Sequence, residues 1–105
     1  MSDVVLILTT VPVGNLGDEI ARTLVDERLA ACVNVLPAMT SFYRWRGALE
    51  REEERQVVIK TTRDRVEAVR VRLAALHSYE VPEFVVLPVT DGSPGYLEWV
   101  RSETR

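Results

Sequence analysis

The stretch that decides the fold is residues 31–62, which reads ACVNVLPAMTSFYRWRGALEREEERQVVIKTT. Its two arms, residues 32–46 and 56–62, are rich in the β-branched and aromatic side chains that favour strands. The arms meet at Gly47, and an acidic turn is expected through Glu50 and Glu54. The pattern predicts one long β-hairpin.

The first arm of this hairpin is too long for one small domain to cover. From Cys32 to Arg46 it extends roughly 45–50 Å at the rise of a strand, whereas a domain of this length has a radius of gyration of only about 13 Å. Pro37 lacks the N–H group that a strand ladder needs, so we expect it to break or bend the arm. The outer half, residues 40–46, then needs a surface beyond its own core. We expect another copy of the chain to supply it.

Length and composition predict one globular domain over residues 1–105, with 47% hydrophobic residues and a formal charge of −3. Charges of both signs are interspersed, so we expect neither nucleic acid nor a membrane as a partner. Cys32 is the single cysteine, which rules out an internal disulfide. The first residues resemble a strand rather than a signal sequence, and no apolar run approaches the roughly 18 residues of a membrane span. The expected location is the cytoplasm.

Outside the hairpin, strand and helix patterns alternate. Residues 3–10 are a continuous aliphatic and β-branched run, typical of a central strand buried on both faces. A helix with Asn15 as its cap is predicted to run to about Leu29, and a fourth strand is predicted over residues 83–89. A second helix, with Thr62 or Asp64 as its cap, is predicted from a core-facing stripe of apolar residues at Val66, Val69, Leu73 and Leu76. Ser93 as a cap and Pro94 as a first helical residue predict a short C-terminal helix.

This order predicts an α+β fold. Two helices alternate with four strands, and crossover connections are right-handed. The compact solution is a four-stranded antiparallel sheet with two helices on one face, the ferredoxin-like split βαβ, here with a long central hairpin and a short C-terminal helix. The fold alone implies no function.

Several separated motifs resemble a known family in the same order along the chain. They are residues 27–34 (ERLAACVN), 41–47 (SFYRWRG), 59–61 (IKT), 77–83 (HSYEVPE) and 96–99 (YLEW). Together they are similar to the CutA family of divalent-cation tolerance proteins over essentially the whole chain. The resemblance implies a ferredoxin-like fold, a cytoplasmic homotrimer, a link to tolerance of copper and other divalent cations, and no established catalytic activity.

The chain departs from the family at positions linked to copper. Some members carry an additional cysteine on the first strand and two adjacent histidines before the tyrosine of the motif. This chain has Thr9 and Leu76 at those positions, retains His77, and has Ser78 in place of the usual proline. We therefore expect copper or another divalent cation to bind weakly.

The candidate metal ligands are His77, Cys32, Glu80 and Glu83. A thiolate suits soft ions such as Cu(I), but a cysteine that begins an apolar strand is also typical of a small buried hydrophobe, the reading we favour. His77 can ligate a metal, or it can simply bond the last carbonyls of its helix. Glu80 and Glu83 can add oxygen ligands or solvate a loop.

Tyr43, Trp45, Lys60 and Tyr79 are predicted to line a cleft between subunits. Tyr43 and Trp45 share one face of their strand, and aromatic residues are enriched where protein surfaces bury each other. Plain interface packing is therefore the alternative to ligand recognition, and we favour it for Trp45. Lys60 ends an apolar run, where its charge pairs with an acid, contacts an anion or reaches solvent.

The sequence is compatible with two functions. The first is a trimeric, non-enzymatic protein connected with divalent cations, which binds a metal or a small ligand at subunit clefts. The alternative is an acylphosphatase-like hydrolase on the same fold class, which needs amides and a cation around a phosphate at the first loop. Residues 11–17 contain neither arginine nor lysine, Asp18 and Glu19 are negative, and Arg22 lies more than a turn further on. The charges favour the first function.

Overall fold

The sheet is built around its first strand, β1 (Val4–Pro12), which pairs with a neighbour on each side. The structure, a computed structural model, describes residues 2–105. The other elements follow β1 in the order α1 (Leu16–Asp26), β2 (Cys32–Trp45), β3 (Ala48–Thr62), a 3₁₀ turn (Arg63–Arg65), α2 (Val66–Leu76), β4 (Val85–Pro88) and α3 (Pro94–Glu103). This order of strands and helices confirms the prediction.

The strands form one antiparallel sheet in the order β2-β3-β1-β4. The connection through α1 leads from β1 to β2, and β3 then returns between them. The connection through α2 brings β4 to the free side of β1. This is the ferredoxin-like split βαβ arrangement, so the predicted fold class is confirmed.

The long hairpin turns at Arg46 and Gly47, whose φ angles of 50° and 82° both lie in the left-handed region. Two such residues form the tight turn that matches the twist of paired strands. The expectation of an acidic turn through Glu50 and Glu54 is wrong, because both residues lie inside β3. Cross-strand pairing outweighs the low strand propensity of glutamate, as where Glu50 lies opposite Tyr43.

Helix α1 ends three residues earlier than predicted. Arg28 has a φ of 61°, and its N–H donates to the carbonyl of Val25 while the N–H of Leu29 donates to the carbonyl of Leu24. This pair of bonds closes the helix in the manner of a Schellman motif. An arginine takes the position where glycine is usual, so the end of the helix has no clear signal in the sequence.

The predicted cap residues occupy the expected places but do not use their side chains as caps. Asn15 and Ser93 precede α1 and α3, and neither makes a side-chain cap hydrogen bond. Thr62 precedes the 3₁₀ turn, and its hydroxyl donates to the carboxylate of Asp64.

A β-bulge divides β2 into an inner and an outer half. Val35 lies opposite Val57 and Ala38 lies opposite Arg55, so β2 uses one residue more than β3 over this interval. Pro37 is inside the bulge, which confirms that this proline interrupts the first arm. Because side chains alternate along a strand, one extra residue exchanges the two faces beyond it.

Helices α1 and α2 cover one face of the sheet. The main core is formed by Val5, Ile7, Val11, Ile20, Leu24, Ala30, Val57, Ile59, Val69 and Leu73. Gly17 permits close contact between α1 and the sheet, because a Cβ atom there would lie 2.9 Å from Val35 Cγ1. Helix α3 packs in a smaller second cluster with Val4. Within residues 2–105, none of the helices combines the length and the apolar character needed to cross a bilayer.

The opposite face of the sheet, called the open face below, has no helix over it. Strand register places Leu6, Leu8, Val58, Val85 and Leu87 together there. Val85 and Leu87 are exposed, and the other three are only partly buried. The hairpin extends this face away from the core, and the molecule is 44 Å long but only 25 Å and 24 Å across.

Thr9 is an anomaly in the helix-covered core. Its side chain is fully buried on β1, and its Oγ1 has no hydrogen-bond partner within residues 2–105. Thr61 is equally buried, but its Oγ1 donates to the carbonyl of Leu29 at 2.7 Å. A buried hydroxyl without a partner loses its hydration and gains nothing in return.

We predict that Thr9→Val raises the free energy of unfolding by about 1–2 kcal/mol, because it removes an unsatisfied polar atom at nearly constant volume. Thr61→Val is the matched control and should lower it by a similar amount, since it leaves the Leu29 carbonyl without its donor. Denaturant unfolding at one fixed protein concentration measures both changes. A Thr9→Val protein less stable than the parent would contradict the assignment.

Candidate functional site

A pocket of about 810 Å³ lies where the outer half of the hairpin meets the segment that joins α2 to β4. We call residues 77–84 the connecting segment. Glu83 was predicted to begin the fourth strand, but β4 starts only at Val85. Glu83 therefore belongs to the connecting segment. The bulge in β2 turns Tyr43 and Trp45 towards the open face, and both line the pocket. The volume is within the range of small-molecule sites.

His77 anchors the start of the connecting segment. Its Nε2 lies 2.7 Å from the carbonyl oxygen of Thr10 on β1, and its Nδ1 accepts the N–H of Tyr79 at 3.1 Å. A carbonyl can only accept, so Nε2 carries the proton and Nδ1 supplies the lone pair. Both ring nitrogens are thus engaged within the chain.

Three further contacts hold the segment against the hairpin. The Tyr79 hydroxyl donates to Glu54 Oε2 at 3.0 Å, and Gln56 Nε2 donates to Glu83 Oε2 at 2.9 Å. At the mouth of the pocket, Arg46 Nη2 lies 2.6 Å from Glu80 Oε2, in an ion pair with both side chains well exposed. An exposed pair of this kind contributes little to stability, so the deeper two bonds matter more for the shape of the site.

The pocket has a negative electrostatic character. Burial, followed by the hydrogen bond and the charge of Glu54, raises the pKa of Tyr79 well above its usual value. Desolvation, followed by the charges of Glu52, Glu50 and Glu54, also raises the pKa of Tyr43. Burial, followed by the acidic residues along β3, thus extends the protonated form of both phenols to higher pH, and in this form Tyr79 acts as a hydrogen-bond donor.

The structure brings together five of the residues singled out from the sequence. Tyr43, Trp45, Tyr79, Glu80 and Glu83 all line the pocket. His77 orients the segment from just outside its wall.

Lys60 and Cys32 lie elsewhere on the open face. They are cross-strand partners, four residues along β3 from Gln56, which is roughly 13 Å at strand rise. The structure therefore does not bring Lys60 to the aromatic cluster, or Cys32 to the other candidate metal ligands, within one chain. In residues 2–105 no three His, Cys, Asp or Glu side chains are grouped so as to hold a metal ion.

Sequence reasoning did not identify Glu54 and Gln56 as residues of the site. Glu54 is 8% exposed, and among residues 2–105 it is the only charged residue that is buried. Because Glu54 and Gln56 share the strand parity of Val58 and Lys60, period-two alternation would have placed them on one face. Because residues 50–54 were expected to form a turn, this alternation was not considered there.

The first loop bears on the acylphosphatase-like alternative. A second cavity there, of about 360 Å³, is lined by Asn15, Asp18, Glu19 and Arg22. Arg55 also reaches this loop, which the sequence did not predict, but its Nε donates to the carbonyl of Leu36 at 2.8 Å and its Nη1 lies 3.8 Å from Asp18. These contacts hold Arg55 within the chain, and the cavity is lined by the carboxylates of Asp18 and Glu19, which disfavour a bound phosphate.

The fold and the pocket define a class of protein, a ferredoxin-like domain whose long hairpin forms one wall of a ligand-sized pocket. Residues 5–103 match the family described as "CutA1 divalent ion tolerance protein". The chain is 46% identical over 104 residues to the divalent-cation tolerance protein CutA of Thermus thermophilus, and the match covers 99% of each protein. The chain therefore belongs to the CutA family of divalent-ion tolerance proteins, as the sequence motifs indicated.

Other relatives agree with this assignment. The crystal structure of CutA from Xylella fastidiosa superposes with a TM-score of 0.96 at 46% identity, over 99% of this chain and 100% of that one. The chloroplastic CutA protein of Arabidopsis thaliana is 40% identical over 101 residues, which cover 96% of this chain but 56% of that longer protein.

We predict that Tyr79→Phe makes stability less sensitive to alkaline pH. The raised pKa of Tyr79 means that the native state keeps the phenolic proton after the unfolded chain has begun to lose it near pH 10. The contribution is complete below that pH and is lost as the pH rises through the folded-state pKa. Above pH 10 the free energy of unfolding should therefore fall less steeply in the variant.

Denaturant unfolding at a series of pH values measures this slope for the parent, Tyr79→Phe and Glu54→Gln. Glu54→Gln removes the negative charge but keeps an acceptor and the burial, so its slope should lie between the other two. Equal slopes for the parent and Tyr79→Phe would show that Tyr79 is not held in its protonated form.

Proposed function

We propose that this chain is a cytoplasmic, non-enzymatic homotrimer that acts in divalent-cation tolerance by binding a copper ion or a small ligand at the pocket between the hairpin and the connecting segment. The observation that carries the proposal is the position of the pocket. It lies at the border of the uncovered open face, where a second copy of the chain would complete its walls. Family membership supports the link with divalent cations.

The open face supports self-association. A row of aliphatic side chains on a sheet without a covering layer is unusual for a stable monomer, because one face of a sheet must pack against another element. On the outer hairpin Phe42 is 66% exposed and Leu49 is 71% exposed. By strand register these two side chains lie on the face of the hairpin opposite Tyr43 and Trp45. Apolar side chains are therefore uncovered on both faces of the outer hairpin as well as on the open face, and copies of the same chain are best suited to cover them.

We predict that light scattering in solution gives about three times the chain mass of 11.9 kDa. Leu87→Glu should disrupt this assembly, since it places a charge in the apolar open face. Val71→Glu is the matched control: Val71 is an exposed apolar residue on α2, away from the open face, and its replacement should leave the mass unchanged. A folded monomeric parent at micromolar concentration would refute the trimer.

For copper, His77 is the principal candidate ligand, with Glu80 or Glu83 as oxygen partners. Copper(II) has the highest affinity of the divalent first-row ions for nitrogen and oxygen sites. In this chain it would displace either the Thr10 contact or the Tyr79 N–H from the imidazole, and it would compete with Arg46 or Gln56 for a carboxylate. These exchanges support weak rather than tight binding.

We predict weak but measurable Cu²⁺ binding that falls about tenfold or more in His77→Ala, because the imidazole nitrogen is lost. Cys32→Ser is the control, and it should leave the affinity unchanged because Cys32 lies far from His77 along the sheet. Calorimetric titration of the assembled protein compares the three. Unaltered binding in His77→Ala would remove His77 as the ligand, and a loss in Cys32→Ser would assign the metal to the thiol.

A further inference from the structure

We propose that the pocket selects a small organic ammonium ion, which places its charge beside the Glu54 carboxylate and its body between aromatic side chains. This inference rests on the proposed function, in which the pocket is a ligand site, and it specifies the chemical class of the ligand.

The charge balance of the pocket is the first support. Its lining contains the carboxylates of Glu54, Glu80 and Glu83 but only one cation, Arg46. Arg46 is already paired with Glu80, and Glu83 receives a hydrogen bond from the neutral amide of Gln56. Within residues 2–105, neither Glu54 nor Glu83 is paired with a cationic side chain.

Glu54 is the most buried of the three carboxylates in the lining. Its residue is 8% exposed, and its described side-chain partner is the neutral hydroxyl of Tyr79, on one carboxylate oxygen. Burying a carboxylate is costly unless a cation or several hydrogen bonds compensate it. A cation that enters the pocket would supply this compensation, whereas an anion would be repelled.

The aromatic walls are the second support. Tyr43, Trp45 and Tyr79 all line the pocket, and the face of an aromatic ring attracts cations. The chain shows this chemistry at the pocket mouth, where the Arg46 guanidinium carbon lies 5.2 Å from the centre of the Trp45 ring and its nitrogen contacts Glu80. A cation between a ring and a carboxylate is thus an arrangement that this surface already supports.

The shape and remaining lining suit an organic cation better than a tightly held metal ion. Met39, Val81 and Pro82 add apolar surface to a volume of about 810 Å³, which suits a ligand with a hydrocarbon body. A metal ion would require several ligand atoms at fixed short distances, and the residues described in the structure do not present such a group.

Choline and its neutral carbon isostere, 3,3-dimethylbutan-1-ol, provide a direct test, with ethanolamine as a primary ammonium probe. The protein is the full chain in its assembled state, verified by light scattering, with Trp99→Phe so that Trp45 is the single tryptophan. Fluorescence titration should show saturable binding of choline or ethanolamine. The isostere should bind at least tenfold more weakly than choline, because it has the same shape without the charge.

Two variants locate the charge. Glu54→Gln keeps the size of the side chain and an acceptor for Tyr79, and it should weaken binding of the ammonium probe about tenfold or more. Glu53→Gln is the matched control, since Glu53 is the next residue on β3 but is exposed and accepts a hydrogen bond from Thr40 outside the pocket lining. It should leave the affinity unchanged.

Failure of this inference can be distinguished from failure of the proposed function. Binding of the isostere as tightly as choline, or stronger binding of acetate or inorganic phosphate than of either ammonium, would overturn the cationic class while the pocket remained a ligand site. No response of Trp45 to any probe would overturn the organic ammonium site, and the copper titration would then test the proposed function separately. The comparison of probes on the parent pocket stays decisive even if Glu54→Gln does not fold.

Discussion

The single extra residue in β2 is the constraint on which the rest of the structure depends. Between Val35 and Ala38 the bulge exchanges the two faces of the strand, and the hairpin beyond it presents Tyr43 and Trp45 to the open face. In an unbroken strand these residues would share the helix-facing side of Val35, and the pocket would lose one wall. Pro37, which cannot join the ladder, makes the bulge the favourable path for the chain.

The same bulge divides the hairpin into two halves that have different surroundings. Its inner half belongs to a conventional core, where α1 approaches closely enough that Gly17 has no room for a Cβ atom. The outer half has no helix above it. Its β2 strand carries aromatic side chains, and its β3 strand carries acidic ones. Phe42, Tyr43 and Trp45 on this outer half are exposed, and all three line the pocket, so the self-association proposed above would cover residues that also form the pocket.

Much of this architecture could be predicted because local chemistry is decisive there. Three local patterns each indicate one type of element: the aliphatic run of β1, the apolar stripe of α2 and the proline at the start of α3. The end of α1 could not be predicted, since Arg28 adopts a conformation that usually selects glycine. The site was recovered only in part because register, and not composition, determines which acidic residue of β3 meets Tyr79.

Glu54 shows most clearly how function and stability differ at this site. A run of acidic residues such as 52–54 usually indicates a solvent-exposed surface. In this structure, however, Glu54 is nearly buried on β3, where it contacts Tyr79 of the connecting segment. An apolar residue there would be better for stability alone, because a carboxylate with one neutral donor remains under-compensated. The ammonium ion that we propose for the pocket would supply the missing compensation.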